Sequence, residues 1–285
     1  MSSNSCQAVV RGRAGFACLL VLAAAAAPAA QAVNNTNRVH LNVRSLGTGR
    51  PVVVFEAGLG EDLSTWDAVQ PEVAKQTSTL AYDRSGLGKS PPNNHPRDGR
   101  QIAMDLHDML ERSRVPAPYV LVGHSLGGAV VFLYASMYPD EVAGLVLVDP
   151  EDGRLIEQLK SQLPAAVWAD REKAIAEAIP NMPEAGRREL AAVKDTGEEV
   201  DRALPLPAVP IVVLTGTLKD PSFPGNPLEQ DLKLELHRQL VARAPGAEQV
   251  LVPQSRHYIQ TDAPDVVIRA ISVVLERIPR PPASR

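Results

Sequence analysis

Ser125 lies in the pentapeptide Gly123-His124-Ser125-Leu126-Gly127, between the apolar run Tyr119–Val122 and the helix-forming run Ala129–Leu133. A Gly-x-Ser-x-Gly at a strand-to-helix junction makes a sharp turn that lifts the serine hydroxyl clear of the sheet, and small flanking residues let neighbouring backbone pass close beneath it. Such a hydroxyl is a poor nucleophile at neutral pH. It needs a base within hydrogen-bond reach and a carboxylate behind that base to fix its tautomer. Of the histidines after Ser125, His237 falls inside the charged stretch Leu228–Leu240 and is expected on a solvated helix face. His257 follows the strand-like run Gln249–Pro253, in a loop before the helical run Ala263–Ile278, which is where bases of this kind sit. Ser125 and His257 are the expected nucleophile and base.

Two aspartates end strand-like runs in acceptable positions for the acid. Asp220 follows Pro210–Gly216 and is the first candidate; Asp149 ends Gly144–Val148 and is its rival, with strand-end turn capping as its plainer reading. Glu151, Asp152 and Glu56 are more distant alternatives, Glu56 reading as a structural acid.

From about Arg38 onward the chain resembles the α/β-hydrolase family. Besides the serine motif, Pro51–Gly60 is similar to that family's strand and oxyanion loop, Leu80–Ser90 to its next strand and turn, and Arg256–Tyr258 with Asp262–Asp265 to its histidine loop and last helix. The resemblance implies the chain order serine, acid, histidine, which sets aside His40, His95 and His107. It implies an oxyanion hole from the backbone N–H groups of Leu59 and Leu126. It favours Asp220 as the acid, although the turn from Gly216 is one residue longer than common; some lipase-like members instead use an Asp-Pro placed like Asp149-Pro150. Many members carry His-Gly in the oxyanion loop where this chain has Ala57-Gly58; because the hole is made of backbone N–H groups, losing that imidazole need not abolish it.

These residues need a scaffold, and six apolar strand runs between Val52 and Val252 alternate with amphipathic stretches such as Gln101–Leu110. An α/β fold follows, with a mostly parallel central sheet and helices on both faces. The segment from about 151 to 207 breaks the alternation with helical pieces separated by Pro164, Pro180 and Pro183. By resemblance it is a helical cap, in which Trp168, Met182 and Leu190 line an acyl pocket or simply pack. Asp83-Arg84 reads as a structural pair or turn network beside the site, and Trp66 as packing.

Residues 1–32 carry Arg11 and Arg13, an apolar core from Ala14 to Ala27 and an Ala-x-Ala end. That pattern predicts a cleaved secretory leader, and its apolar core is short for a membrane span. Cleavage there removes Cys6 and Cys18, the only cysteines, and leaves 33–285 as one hydrolase domain without disulfides. The net charge of −4 becomes −6 once the two arginines of an acid-free leader are gone. No basic patch invites nucleic acid or an anionic membrane, and the mature chain has no integral membrane segment. No His/Cys metal cluster or Gly-x-Gly-x-x-Gly is present, so no cofactor or metal is expected. The partner is a small acyl substrate, with a carboxylic ester leading. Acyl transfer, lactone opening, amide hydrolysis and carbon–carbon bond hydrolysis can use the same three groups, and a non-catalytic binding protein of this fold is the alternative from another class.

Overall fold

The computed structural model describes residues 40–203 and 206–279. The expected leader, with Cys6 and Cys18, lies outside the described residues. In chain order the elements are β1 (Val43–Leu46), β2 (Val52–Glu56), the single turn α1 (Gln70–Val73), β3 (Thr79–Tyr82), α2 (Gly99–Arg112), β4 (Tyr119–His124), α3 (Leu126–Met137) and β5 (Val142–Val148). Then follow α4 (Leu155–Gln162), α5 (Ala165–Ala178), α6 (Glu184–Arg202), β6 (Ile211–Gly216), α7 (Asn226–Arg243), β7 (Ala247–Val252), the single turn α8 (Ile259–Asp262) and α9 (Pro264–Arg277).

The sheet order is β1-β3-β2-β4-β5-β6-β7, parallel throughout except for β1, which pairs antiparallel with β3. Strand residues alternate between faces, so each apolar run supplies two cores at once. Val52, Val54, Leu121, Leu145 and Val213 pack on one side with Ile102 and Leu106 of α2 and with α3. Val53, Phe55, Val120, Val122 and Val146 pack on the other with Val267 and Ile271 of α9 and with Trp66. Trp66 is fully buried and its ring centroid is 5.0 Å from that of Phe55, a packing role. The helices α4, α5 and α6 are inserted between β5 and β6; α6 contacts α2 and α3, and α4 contacts α7.

Two differences from the sequence expectation stand out. β1 was not anticipated, because four residues at a sheet edge, half-buried, carry too little apolar pattern. α7 buries a polar stripe, Asn226, Gln230, Lys233 and His237, at helical spacing. His237 is therefore not on a solvated face: it is 1 % exposed, with Nδ1 2.9 Å from Thr215 Oγ1 and Nε2 2.9 Å from the Pro150 carbonyl.

Candidate active site

The site lies at the carboxyl ends of β2, β4, β5 and β6. Ser125 caps α3 with φ 51° and ψ −120°, a conformation that costs a non-glycine residue on the order of 1–3 kcal/mol. Neighbouring glycines make the turn possible. A Cβ on Gly123 would lie 2.2 Å from the Gly127 carbonyl oxygen, and one on Gly127 would lie 2.5 Å from the carbonyl oxygens of Glu56 and Ala57. The elbow is locked by backbone bonds from Ser125 to Val148 (3.1 Å) and from Glu151 to the Ser125 carbonyl (3.0 Å). The Ser125 hydroxyl makes no hydrogen bond among the described residues; contacts of this kind commonly close only once substrate is bound.

His257 is carried on the loop between β7 and α8 and held beside the elbow. Its carbonyl oxygen lies 3.1 Å from Nε2 of His124, the residue before Ser125, and the two imidazole centroids are 4.6 Å apart. Nδ1 of His257 lies 2.6 Å from Asp149 Oδ2. Asp149 is fully buried, sits at the end of β5 with φ 44°, and accepts at Oδ1 from the Gly216 N–H (3.1 Å). The carboxylate behind His257 is thus Asp149.

Asp220, the first expectation for the acid, does not meet His257. Its carboxylate accepts from the Ser222 N–H (2.9 Å) and from Arg256 (2.9 Å), so it holds the histidine loop through the neighbouring residue. β6 approaches the site with backbone, the Gly216 N–H donating to Asp149, and four residues further on the Asp220 carboxylate is taken by Arg256 rather than by His257.

A fourth charged group was missed. Lys233 of α7, 4 % exposed, places Nζ 2.8 Å from Asp149 Oδ2 and 3.2 Å from His257 Nδ1. Nδ1 cannot accept from the ammonium while donating to Asp149, so Lys233 acts on the imidazole as a nearby positive charge. Burial and that charge push His257 down to about 4, the Asp149 contact working in the opposite direction. Burial opposes ionisation of Asp149, but Lys233 and His257 hold its carboxyl well below the usual range.

The loop after β2 has its own supports. Arg84 donates to the carbonyls of Ala57 (2.7 Å) and Gly58 (2.6 Å) and to Glu56 (2.7 Å), all three residues being buried or nearly so. Arg84 also pairs with Glu189 of α6, which in turn accepts from Arg97 and from the Gly60 N–H (2.9 Å). Glu61 accepts from the Gly58 N–H (3.0 Å) and from Thr65 (3.0 Å), with His124 Nδ1 at 3.3 Å. Burial would raise the Glu61 carboxyl; His124, Thr65 and Gly58 outweigh it and hold it at about 2. With Gly58 and Gly60 taken, the Leu59 N–H between them has no acceptor among the described residues, and neither has that of Leu126. Leu59 and Leu126 line one cavity together with Ser125, Trp168 and Leu190. Met182 does not line it and lies near Gly60 and Gly186 instead. Asp83 and Arg84 form no pair with each other: Asp83 accepts from the Leu63 and Lys89 N–H groups.

Among the described residues no helix is long and apolar enough to cross a membrane. Comparison with known proteins finds similarity in both sequence and fold. The uncharacterized protein YqjL of Bacillus subtilis is 26 % identical over 225 residues, covering 79 % of this chain and 83 % of that protein. A thermophilic esterase from Thermogutta terrifontis superposes with a TM-score of 0.60 at 22 % identity, over 84 % of this chain and 93 % of that one. An enol-lactonase from Burkholderia xenovorans LB400 does so with a TM-score of 0.60 at 19 % identity, over 84 % and 98 %. At these identities the two solved structures establish the fold alone. The family described as alpha/beta hydrolase fold matches residues 51–231, and with the sheet order and the strand–elbow–helix around Ser125 the chain belongs to the α/β-hydrolase family.

Proposed function

We propose that this chain is an exported serine hydrolase that cleaves a carboxylic ester through Ser125, His257 and Asp149. The observation that carries the reading is the 2.6 Å contact of Asp149 Oδ2 with His257 Nδ1, in a loop packed against the residue preceding a strained serine elbow. With Nδ1 engaged, Nε2 is the nitrogen left for proton transfer. Ser125 Oγ bonds to the acyl carbon as its proton moves to His257, and the carbonyl oxygen takes the negative charge. The unpartnered N–H groups of Leu59 and Leu126 supply the donors for that oxyanion. The bond to the alcohol oxygen then breaks as His257 returns the proton to it. A water deprotonated by His257 attacks the acyl-enzyme, releasing the acid and restoring Ser125.

The helices α4 to α6 act as a cap over Ser125, and export rests on the leader-like residues 1–32. A fluorophosphonate probe tests the chemistry. Ser125 is labelled in the wild type, and Ser125→Ala abolishes labelling and lowers ester turnover by about 10⁶. Near-normal turnover in Ser125→Ala would overturn the reading.

A further inference from the structure

Two cavities open at the site, and Glu151 lines both. One, about 400 Å³, is bounded by Ser125, Leu59 and Leu126 and by the apolar Ile156, Trp168 and Leu190. The other, about 620 Å³, is bounded by His257 and by polar residues of α7 and the histidine loop, including Gln230, Lys233 and Arg256. The chemistry sorts a substrate between them. The leaving oxygen must take its proton from His257, so the alcohol half belongs in the cavity that His257 lines. The acyl half belongs in the apolar cavity beside Ser125.

Most charges lining this second cavity already have partners: Lys233 with Asp149 at 2.8 Å, Arg256 with Asp220 at 2.9 Å, and Glu229 with Arg171 at 3.0 Å. Asp262 accepts from Ser255 Oγ and the Arg256 N–H, each at 3.2 Å. Glu151 is different. Its backbone is fixed to the Ser125 carbonyl, yet its carboxylate has no hydrogen bond or ion pair among the described residues. Gln230, 3 % exposed, has a buried Oε1 without a hydrogen-bond partner. Tyr258 adds an aromatic ring to the same cavity; the Phe223 ring beside it already carries the Arg171 guanidinium, 5.0 Å from its centroid. An unpartnered amide oxygen, an unpaired carboxylate and an aromatic ring are what an alkylammonium group is held by. Burial raises the Glu151 carboxyl to about 7 against the pull of Lys233, with Glu229 and Asp152 adding to the rise, so a bound cation would also stabilise its charged form.

Resting on the serine-hydrolase reading, we propose that the preferred substrate is an ester of an apolar acid with an amino alcohol, whose ammonium group is held by Glu151 in the cavity lined by His257. The test compares butyrate esters of three alcohols of similar size: dimethylaminoethyl (cationic), isoamyl (neutral) and carboxyethyl (anionic). In the wild type kcat/KM should be highest for the cationic ester, roughly tenfold or more above the neutral one, and lowest for the anionic one. Glu151→Gln should bring the cationic-to-neutral ratio close to one. Because that ratio is taken within one preparation, the folded fraction cancels. A wild type without the preference, or a preference that survives in Glu151→Gln, overturns the proposal. Hydrolysis of p-nitrophenyl butyrate and labelling of Ser125, run alongside, separate the two levels. If both occur without charge preference, only this proposal fails; if neither occurs, the hydrolase reading fails and this one with it.

Discussion

Lys233 Nζ lies 2.8 Å from Asp149 Oδ2, the same oxygen that His257 Nδ1 approaches at 2.6 Å. One buried carboxylate oxygen is thus shared by a fixed cation and by the imidazole whose charge it must stabilise. The arrangement disfavours imidazolium in the resting protein while keeping Asp149 ionised.

The acid limb of activity follows from it. As the proposed base His257 must be neutral to accept a proton, and burial with Lys233 lowers it from 6.5 to about 4. kcat/KM should therefore persist on the acid side and fall only as pH drops through about 4. Lys233→Met removes the like charge and should move that limb upward, toward 6.5. Profiles of kcat/KM against pH, each normalised to its own plateau, read this independently of folded fraction. An unmoved limb would show that Lys233 does not act on the imidazole.

Asp149→Asn keeps shape but removes the charge opposite His257, so kcat should fall on the order of 10⁴. Asp220→Asn breaks only the clamp on Arg256 and should stay within about tenfold of wild type. Steady-state kinetics on both variants, at folded content matched by circular dichroism, decide between them. The reverse ranking would return the acid to Asp220.

Glu189→Ala strips Arg97 of its carboxylate partner, leaves Arg84 with Glu56 alone and frees the Gly60 N–H. Leaving a buried cation such as Arg97 uncompensated costs about 3–5 kcal/mol. In a domain of this size that corresponds to a fall in Tm of roughly 10 °C, measurable by differential scanning calorimetry. A change of less than about 2 °C would mean that the network contributes little.

Mass spectrometry of protein recovered from outside the cytoplasm should find a chain beginning near Val33, without Cys6 or Cys18. A full-length chain confined to the cytoplasm would count against export.

The serine elbow and the histidine loop were legible because each is a local pattern: a Gly-flanked serine after an apolar run, and a histidine just past one. The choice between Asp149 and Asp220 was not, because both follow strand-like runs, and only the fold shows which carboxylate meets His257. Lys233 and His237 were hidden for a different reason. Hydrophobic periodicity assumes that the inward face of a helix is apolar, whereas α7 turns Asn226, Gln230, Lys233 and His237 inward beneath the site. The oxyanion-loop support was beyond local reading too, since Gly60 and Glu189 are separated by 129 positions and no pattern links them.

Glu189 belongs to α6, yet it grips the loop that carries Leu59. The inserted helices are therefore not an interchangeable module. A chimaera that grafts a relative's helical segment in place of 155–202 would inherit the new pocket walls but lose the carboxylate that braces Gly60, pairs with Arg97 and shares Arg84 with Glu56. Recombination and engineering of substrate range must carry position 189 and Arg84 together, or rebuild the loop from within the core.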